Sequence, residues 1–178
     1  MFFVKFMGLL VLLLLSACQD DLNPSDQDER PVVQTGITGN QVGQIAPDFT
    51  AGSTILASTY TLLSETQTHD AVVLYFTMWC PICDEHMSHL RATYVSNYPN
   101  VRFFLVDYVN GSIGAARSAQ LASGYGDMTV LVDVDRTIES LYDGTMGITI
   151  VVDKNGIVQM NQGYSDGSKL GQILGELP

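Results

Sequence analysis

Four dense apolar or β-branched runs, at residues 71–76, 101–106, 129–132 and 148–152, most constrain what this chain can fold into. They lack the apolar–polar alternation of a half-solvated strand, so each reads as a strand covered on both faces. Helix-like stretches at 83–98, 112–123, 136–142 and 168–177 alternate with them and supply the cover. In the first, Met87, Leu90, Tyr94 and Tyr98 recur at helical spacing and are expected to face the sheet. A fifth strand at 157–162 follows Asp153-Lys154-Asn155-Gly156, where Asn-Gly is expected to supply the positive-φ positions of a tight hairpin. The pattern predicts an α/β domain with a central mixed β-sheet flanked by helices, closing in a hairpin and a C-terminal helix.

The chemistry sits at one strand-to-helix junction. Trp79-Cys80-Pro81-Ile82-Cys83 directly follows the run at 71–76 and directly precedes a helical stretch. Unpaired N–H groups and the dipole at a helix N-terminus stabilise a thiolate, and a two-residue spacing lets the second sulfur close a disulfide. Asp84 and Glu85 oppose that stabilisation, and Ile82 offers the sulfur no hydrogen bond. A strongly oxidising dithiol is therefore not expected; the reading is a reductant.

The N-terminus indicates the compartment. Lys5 precedes an apolar run from Met7 to Leu15 and then Ser16-Ala17-Cys18, the layout of a secretory signal peptide. The run is short for a membrane span, which needs about 20 apolar residues. Leu15-Ser16-Ala17-Cys18 resembles the bacterial lipobox, which implies cleavage after residue 17 and acylation of Cys18. Residues 18–43, poor in aromatics and rich in Asp, Gln, Asn, Pro and Gly, read as a flexible tether, and 44–178 as the folded domain. The expected location is the bacterial cell envelope, lipid-anchored on a periplasmic or other extracytoplasmic face. With Cys18 acylated, Cys80 and Cys83 are left to pair with each other in a compartment that permits disulfides. A net charge of −11 argues against nucleic acid as a partner.

The order of strand, Trp-Cys-x-x-Cys, helix and Asp-Lys-Asn-Gly hairpin resembles thioredoxin-like redoxins of the TlpA/ResA type, related to the AhpC/TSA proteins. Ala46-Pro47-Asp48-Phe49 is similar to their entry motif. The resemblance implies a thiol–disulfide oxidoreductase in which Cys80 attacks and Cys83 resolves. It also implies a protein or small-molecule disulfide as substrate, and a membrane protein as electron donor for a reductant outside the cytoplasm. It places Trp79, Pro81, Met146 and Gly147 beside the substrate. Gly147 stands where such proteins have a cis-proline facing the dithiol, and His86 where they have a glutamate. Cys83 and His86 share a helix face at i, i+3, so the imidazole is a candidate acceptor for the Cys83 proton. Ser88 replaces a kinking proline, so a straighter first helix is expected. His89 is expected to face solvent and His69 to lie in a loop.

Three alternatives stay open, although the expected site needs no cofactor and no metal; one is a lipoprotein whose thioredoxin-like domain only binds a partner. Met78, Met87 and Met146 near the cysteines and His86 would suit Cu(I), as in a copper chaperone. Thr77-Met78-Trp79-Cys80-Pro81 is similar to the Thr-x-x-Cys-Pro signature of peroxiredoxins, but the arginine such a peroxidase uses is missing from the last strands, where Gly147 stands.

Overall fold

The computed structural model describes residues 35–55 and 58–177. The expected signal peptide, Cys18 and most of the expected tether lie outside the described residues. Among the described residues, no helix is long and apolar enough to cross a membrane.

Seven strands form one mixed sheet: β1 (Thr50–Ser53), β2 (Thr59–Thr61), β3 (Ala71–Thr77), β4 (Val101–Asp107), β5 (Thr129–Val132), β6 (Ile148–Asp153) and β7 (Val158–Gly163), in spatial order β2-β1-β5-β4-β3-β6-β7. β3, β4 and β5 run parallel, while β6 pairs antiparallel with β3 and β7 with β6. The helices are α1 (Leu62–Thr66), α2 (Pro81–Leu90), α3 (Ile113–Ala122), α4 (Thr137–Tyr142) and α5 (Ser168–Glu176). The α/β fold with a mixed, helix-flanked sheet is as the apolar runs imply.

β3 explains why the core has two halves. All seven of its residues are buried, and its side chains alternate between the faces of the sheet. Ala71, Val73 and Tyr75 join Cys83, Met87, Leu90 and Tyr94 of the α2 segment and Leu170 and Leu174 of α5. Val72, Leu74 and Phe76 join Phe49, Leu62, Ile138 and Tyr142 on the other face. Each fully buried Leu or Phe in such a strand contributes roughly 1.5–3 kcal/mol of apolar transfer. The period of two therefore sends Tyr75, alone among the large residues of β3 in carrying a polar tip, toward α2.

The structure departs from the sequence reading at four places. β1, β2 and α1 are additional elements; their segments are short and too polar to show a periodicity. α2 begins at Pro81 rather than Cys83, because proline suits a first helical position where no N–H is needed. It passes into a π-helical turn at Arg91–Val95, so this helix is not uniformly wound. In the hairpin only Gly156 adopts a positive φ, +76°, and Asn155 does not. There Asp153 Oδ1 accepts from the N–H groups of Asn155 and Ile157 at 2.8 and 2.9 Å, fixing the turn by its carboxylate.

The fourth departure moves the domain's edge. Residues 35–43, expected in the tether, include a hydrogen-bonded segment lying along β7. Gly43 N–H donates to the Val158 carbonyl at 2.8 Å, Val158 N–H to the Gln44 carbonyl at 2.9 Å, and Asn161 Nδ2 to the Asn40 carbonyl at 2.9 Å. Polar, glycine-rich composition suggests a tether, but the backbone groups of this segment find partners on a strand that would otherwise end the sheet.

Candidate active site

The dithiol lies where β3 hands over to α2. Cys80 is the N-cap of α2, with extended backbone (φ −86°, ψ 165°), and its Sγ accepts the Cys83 N–H at 3.2 Å. The cap satisfies one of the first-turn N–H groups, so the sulfur sits on the positive end of the helix. One turn on, Cys83 is fully buried, whereas Cys80 is half-buried. Both are reduced thiols.

Two hydrogen bonds of Trp79 hold the approach to this cap. Trp79 adopts a left-handed backbone (φ 60°), a conformation costing a non-glycine residue about 1–2 kcal/mol. Its N–H donates to Thr77 Oγ1 at 3.1 Å and its indole Nε1–H to Asp107 Oδ2 at 2.7 Å. Asp107, at the end of β4 and fully buried, also accepts from the N–H groups of Val109 and Asn110 and from Asn110 Nδ2. One carboxylate thus fixes both the tryptophan before Cys80 and the loop after β4.

From β6 comes the opposite wall. Cys80 Sγ lies 3.3 Å from Met146 Sδ. Gly147 is trans, with φ +78°, and its N–H donates to the Phe76 carbonyl at 2.9 Å. A proline there would lack that donor and could not adopt that φ. A Cβ on Gly147 would stand 3.6 Å from His86 Nδ1, so this backbone lies against the imidazole. Pro81, Ile82, Met78 and Met146 are exposed around the cap, and so is Val109 on the loop that Asp107 fixes.

The two thiols are not equivalent. Burial pushes the Cys80 thiol up, and so does the hydrogen bond it makes to Cys83. Burial also acts to raise Cys83, but hydrogen bonds from the Cys80 thiol, the Met78 and Cys80 backbone and the Thr77 hydroxyl outweigh it and hold Cys83 below its ordinary value. When the pair loses a proton, the inner sulfur is therefore the one favoured to carry the charge while the outer one keeps its proton.

Tyr75 and His86 complete the site. Tyr75 hydrogen-bonds the Cys83 side chain, and its hydroxyl lies 3.1 Å from His86 Nδ1. Burial, then the charges of Cys83 and Cys80, hold the Tyr75 hydroxyl well above the ordinary tyrosine range. Burial holds His86 below the usual histidine value, with Glu85 partly opposing.

The sequence-predicted residues Trp79, Cys80, Pro81, Cys83, His86, Met146 and Gly147 thus come together. His86 reaches Cys83 through Tyr75. Met146 touches the dithiol; Met87 is fully buried in the α2 core, and Met78 offers Cys83 its backbone while its side chain is exposed. The donors able to take a soft ion are therefore Cys80, Cys83 and Met146, and among the described residues no group of three His, Cys, Asp or Glu is placed to hold a metal. His89 is exposed, as expected, but its Nδ1 pairs with the Tyr164 hydroxyl at 2.8 Å. His69 lies in the loop before β3, beside Thr68 and the Glu65 carbonyl. Sequence reasoning does not single out Tyr75 or Asp107, and it brings in Thr77 only through the peroxiredoxin signature. The available signals were a hydroxyl at an inward β3 position and a carboxylate closing the apolar run of β4.

Residues 42–161 match the AhpC/TSA family. The chain belongs to the AhpC/TSA family. It carries a thioredoxin-like fold, the framework of a thioredoxin-type oxidoreductase. Similar solved structures include the pneumococcal exposed lipoprotein thioredoxin from Streptococcus pneumoniae (21% identity, 74% of this chain and 100% of that one, TM-score 0.62). Another is the thioredoxin domain of a thiol-disulfide oxidoreductase from Bacteroides vulgatus (17% identity, 73% and 97% covered, TM-score 0.58). A third is DsbF of MTB, solved in mixed oxidized and reduced forms (19% identity, 73% and 95% covered, TM-score 0.56). No curated protein sequence matches the chain.

Proposed function

We propose that this chain is a thiol–disulfide oxidoreductase that reduces protein disulfides with Cys80 and Cys83 from a lipid anchor at Cys18, outside the cytoplasm. The observation that carries the reading is the asymmetry of the dithiol, an accessible sulfur capping a helix and a buried sulfur one turn behind it. Cys80 attacks a substrate disulfide, breaks its S–S bond to free one half as a thiol, and holds the other half as a mixed disulfide. Cys83 then attacks Cys80, releasing the second half as a thiol. Exposed Met78, Ile82, Val109 and Met146 favour a protein substrate with apolar residues flanking its disulfide. The raised Cys80 thiol supports a reductant, since strong oxidants are those whose reduced thiolate is stabilised. A membrane protein carrying electrons outward would re-reduce the pair.

A redox titration of the detergent-solubilised chain, read by thiol alkylation, tests this. A reversible two-electron transition below roughly −200 mV is expected; one near −120 mV would make the protein an oxidant, and failure to cycle would remove the reading.

The contact between Cys80 Sγ and Met146 Sδ favours a second reading, a Cu(I) carrier using three sulfurs. Equilibrium dialysis of the reduced chain against a Cu(I) chelator tests it; no retained copper rejects it. Peroxidase activity is disfavoured, because Thr77 hydrogen-bonds Cys83 instead of Cys80. The described arginines that make ion pairs, Arg91, Arg102 and Arg136, do so with Asp127, Glu65 and Glu139. Cys80 consuming hydrogen peroxide far faster than a free thiol would restore the peroxidase reading.

A further inference from the structure

We propose that Tyr75 is a proton relay between Cys83 and His86, and that it ionises Cys83 when the mixed disulfide must be resolved. The inference rests on the dithiol reading above and deepens it.

In the reduced protein the strongest support for a Cys83 thiolate is the hydrogen bond from the Cys80 thiol. That donor disappears as soon as Cys80 is bonded to substrate, because the sulfur no longer carries a proton. Cys83 must act as nucleophile in this very state, buried and without its strongest partner. What remains around it is the Met78 and Cys80 backbone, the Thr77 hydroxyl and the Tyr75 hydroxyl. Of these, only Tyr75 leads to a base. Its oxygen is 3.1 Å from His86 Nδ1, and the two rings meet edge to face at 6.1 Å.

Two arrangements of protons satisfy the chain of contacts. With Cys83 as a thiol, it donates to the Tyr75 oxygen and Tyr75 donates to a neutral His86. With Cys83 as a thiolate, His86 Nδ1–H donates to the Tyr75 oxygen and Tyr75 donates to the sulfur. Passing between them moves one proton from Cys83 to His86 while tyrosine stays neutral, which suits a hydroxyl that burial keeps protonated.

During resolution the Cys83 proton enters this relay and His86 receives one. The Cys83 sulfur bonds to Cys80 Sγ, and the bond from Cys80 to the substrate sulfur breaks. The substrate sulfur leaves with the electron pair and takes a proton from His86 or water. The dithiol is oxidised by two electrons and the substrate disulfide reduced by two.

The surroundings of His86 fit a transient acceptor. Glu85 precedes it and His89 follows one turn on; Tyr164, after β7, packs its ring 5.0 Å from the imidazole, and the Gly147 backbone lies on the remaining side. Only Glu85 favours the charged ring, against burial and His89, so a proton accepted here is readily released.

The test uses the full chain with Cys18→Ala, so that Cys80 and Cys83 alone react. Cys80 is loaded with thionitrobenzoate, and release of the coloured thiol by Cys83 is followed in one turnover against pH. Tyr75→Phe keeps the ring and its packing. The expected result is release slowed by about tenfold or more at neutral pH, with the midpoint of the profile moved upward. His86→Gln, on a half-buried helix position, is expected to move the profile the same way. The double variant should be no slower than the worse single one, since both break one path. An unchanged profile in Tyr75→Phe overturns the relay, as do additive effects in the double variant. If Tyr75→Phe fails to fold, an unchanged His86→Gln profile overturns it equally. Should the parent chain itself release no thiol, the dithiol reading falls along with the relay.

Discussion

At one end of β6, Asp153 closes the final hairpin; at the other, Gly147 lies against His86 beside the dithiol. Both ends use a buried carboxylate and a left-handed glycine. Asp153 binds two N–H groups and Gln159 Nε2, and Asp107 binds Trp79, Val109 and Asn110. Gly156 and Gly147 have φ of +76° and +78°. The difference lies in what these devices hold. At the hairpin the backbone N–H groups of residues 154–157 each meet a fixed acceptor. At the dithiol they flank the chain of contacts from Cys80 through Cys83 and Tyr75 to His86, along which the proposed relay gives one proton several places to go. Rigidity at one end yields a turn, and at the other a candidate reactive site.

Replacing one group at each end should separate the two roles. Cys80→Ser is expected to reduce disulfide exchange to background with little change in unfolding midpoint, while Asp153→Ala keeps exchange and loses stability; a peptide disulfide reduction assay and urea unfolding distinguish them. Asp107→Ala should do both. Leaving its donors unpaired costs about 3 kcal/mol, comparable to Asp153→Ala, and freeing Trp79 slows exchange as well. If Asp107→Ala exchanges at the parent rate, the carboxylate is merely structural and the contrast between the ends weakens.

Gly156→Ala and Gly147→Ala should each cost about 1 kcal/mol by left-handed strain, read from the denaturation midpoint. Only the second should also disturb exchange, because its Cβ meets the imidazole.

The smallest effect concerns pH. Burial lowers the folded pKa of His86, so the unfolded chain binds the extra proton first. This contribution to stability is complete above the ordinary histidine value near 6.5 and declines as pH falls through it toward the folded value. His86→Gln should flatten that slope between pH 7.5 and 5.5; an unchanged slope would assign it to other groups.

How much of this was legible follows from distance along the chain. The hairpin and the Cys-x-x-Cys cap are local, written in consecutive residues whose conformational preferences agree. The four apolar strands were legible because each must be covered twice. The partnerships that make the site are not local. His86 meets Tyr75 across 11 residues, Trp79 meets Asp107 across 28, and Cys80 meets Met146 across 66. Gly147 and Met146 could be placed near the dithiol only through the family resemblance. Tyr75 reads as one more large strand residue, because its hydroxyl matters only once β3 directs it at α2. β1 and β2 are silent in the sequence because Thr-Ala-Gly-Ser and Thr-Tyr-Thr carry no pattern apart from the neighbours they pair with.

The segment lying along β7 bears on behaviour at high local concentration. A bare sheet margin offers its N–H and C=O groups to any other extended chain, and proteins crowded on a surface meet each other often. Here one margin ends in the three-residue β2, too short to template much, and the other is occupied by the chain's own residues around Gly43. A chain cut back to begin at Ala46 would retain the whole dithiol site yet present Val158 and its neighbours as an open template. It would be chemically competent and prone to stick to its own kind.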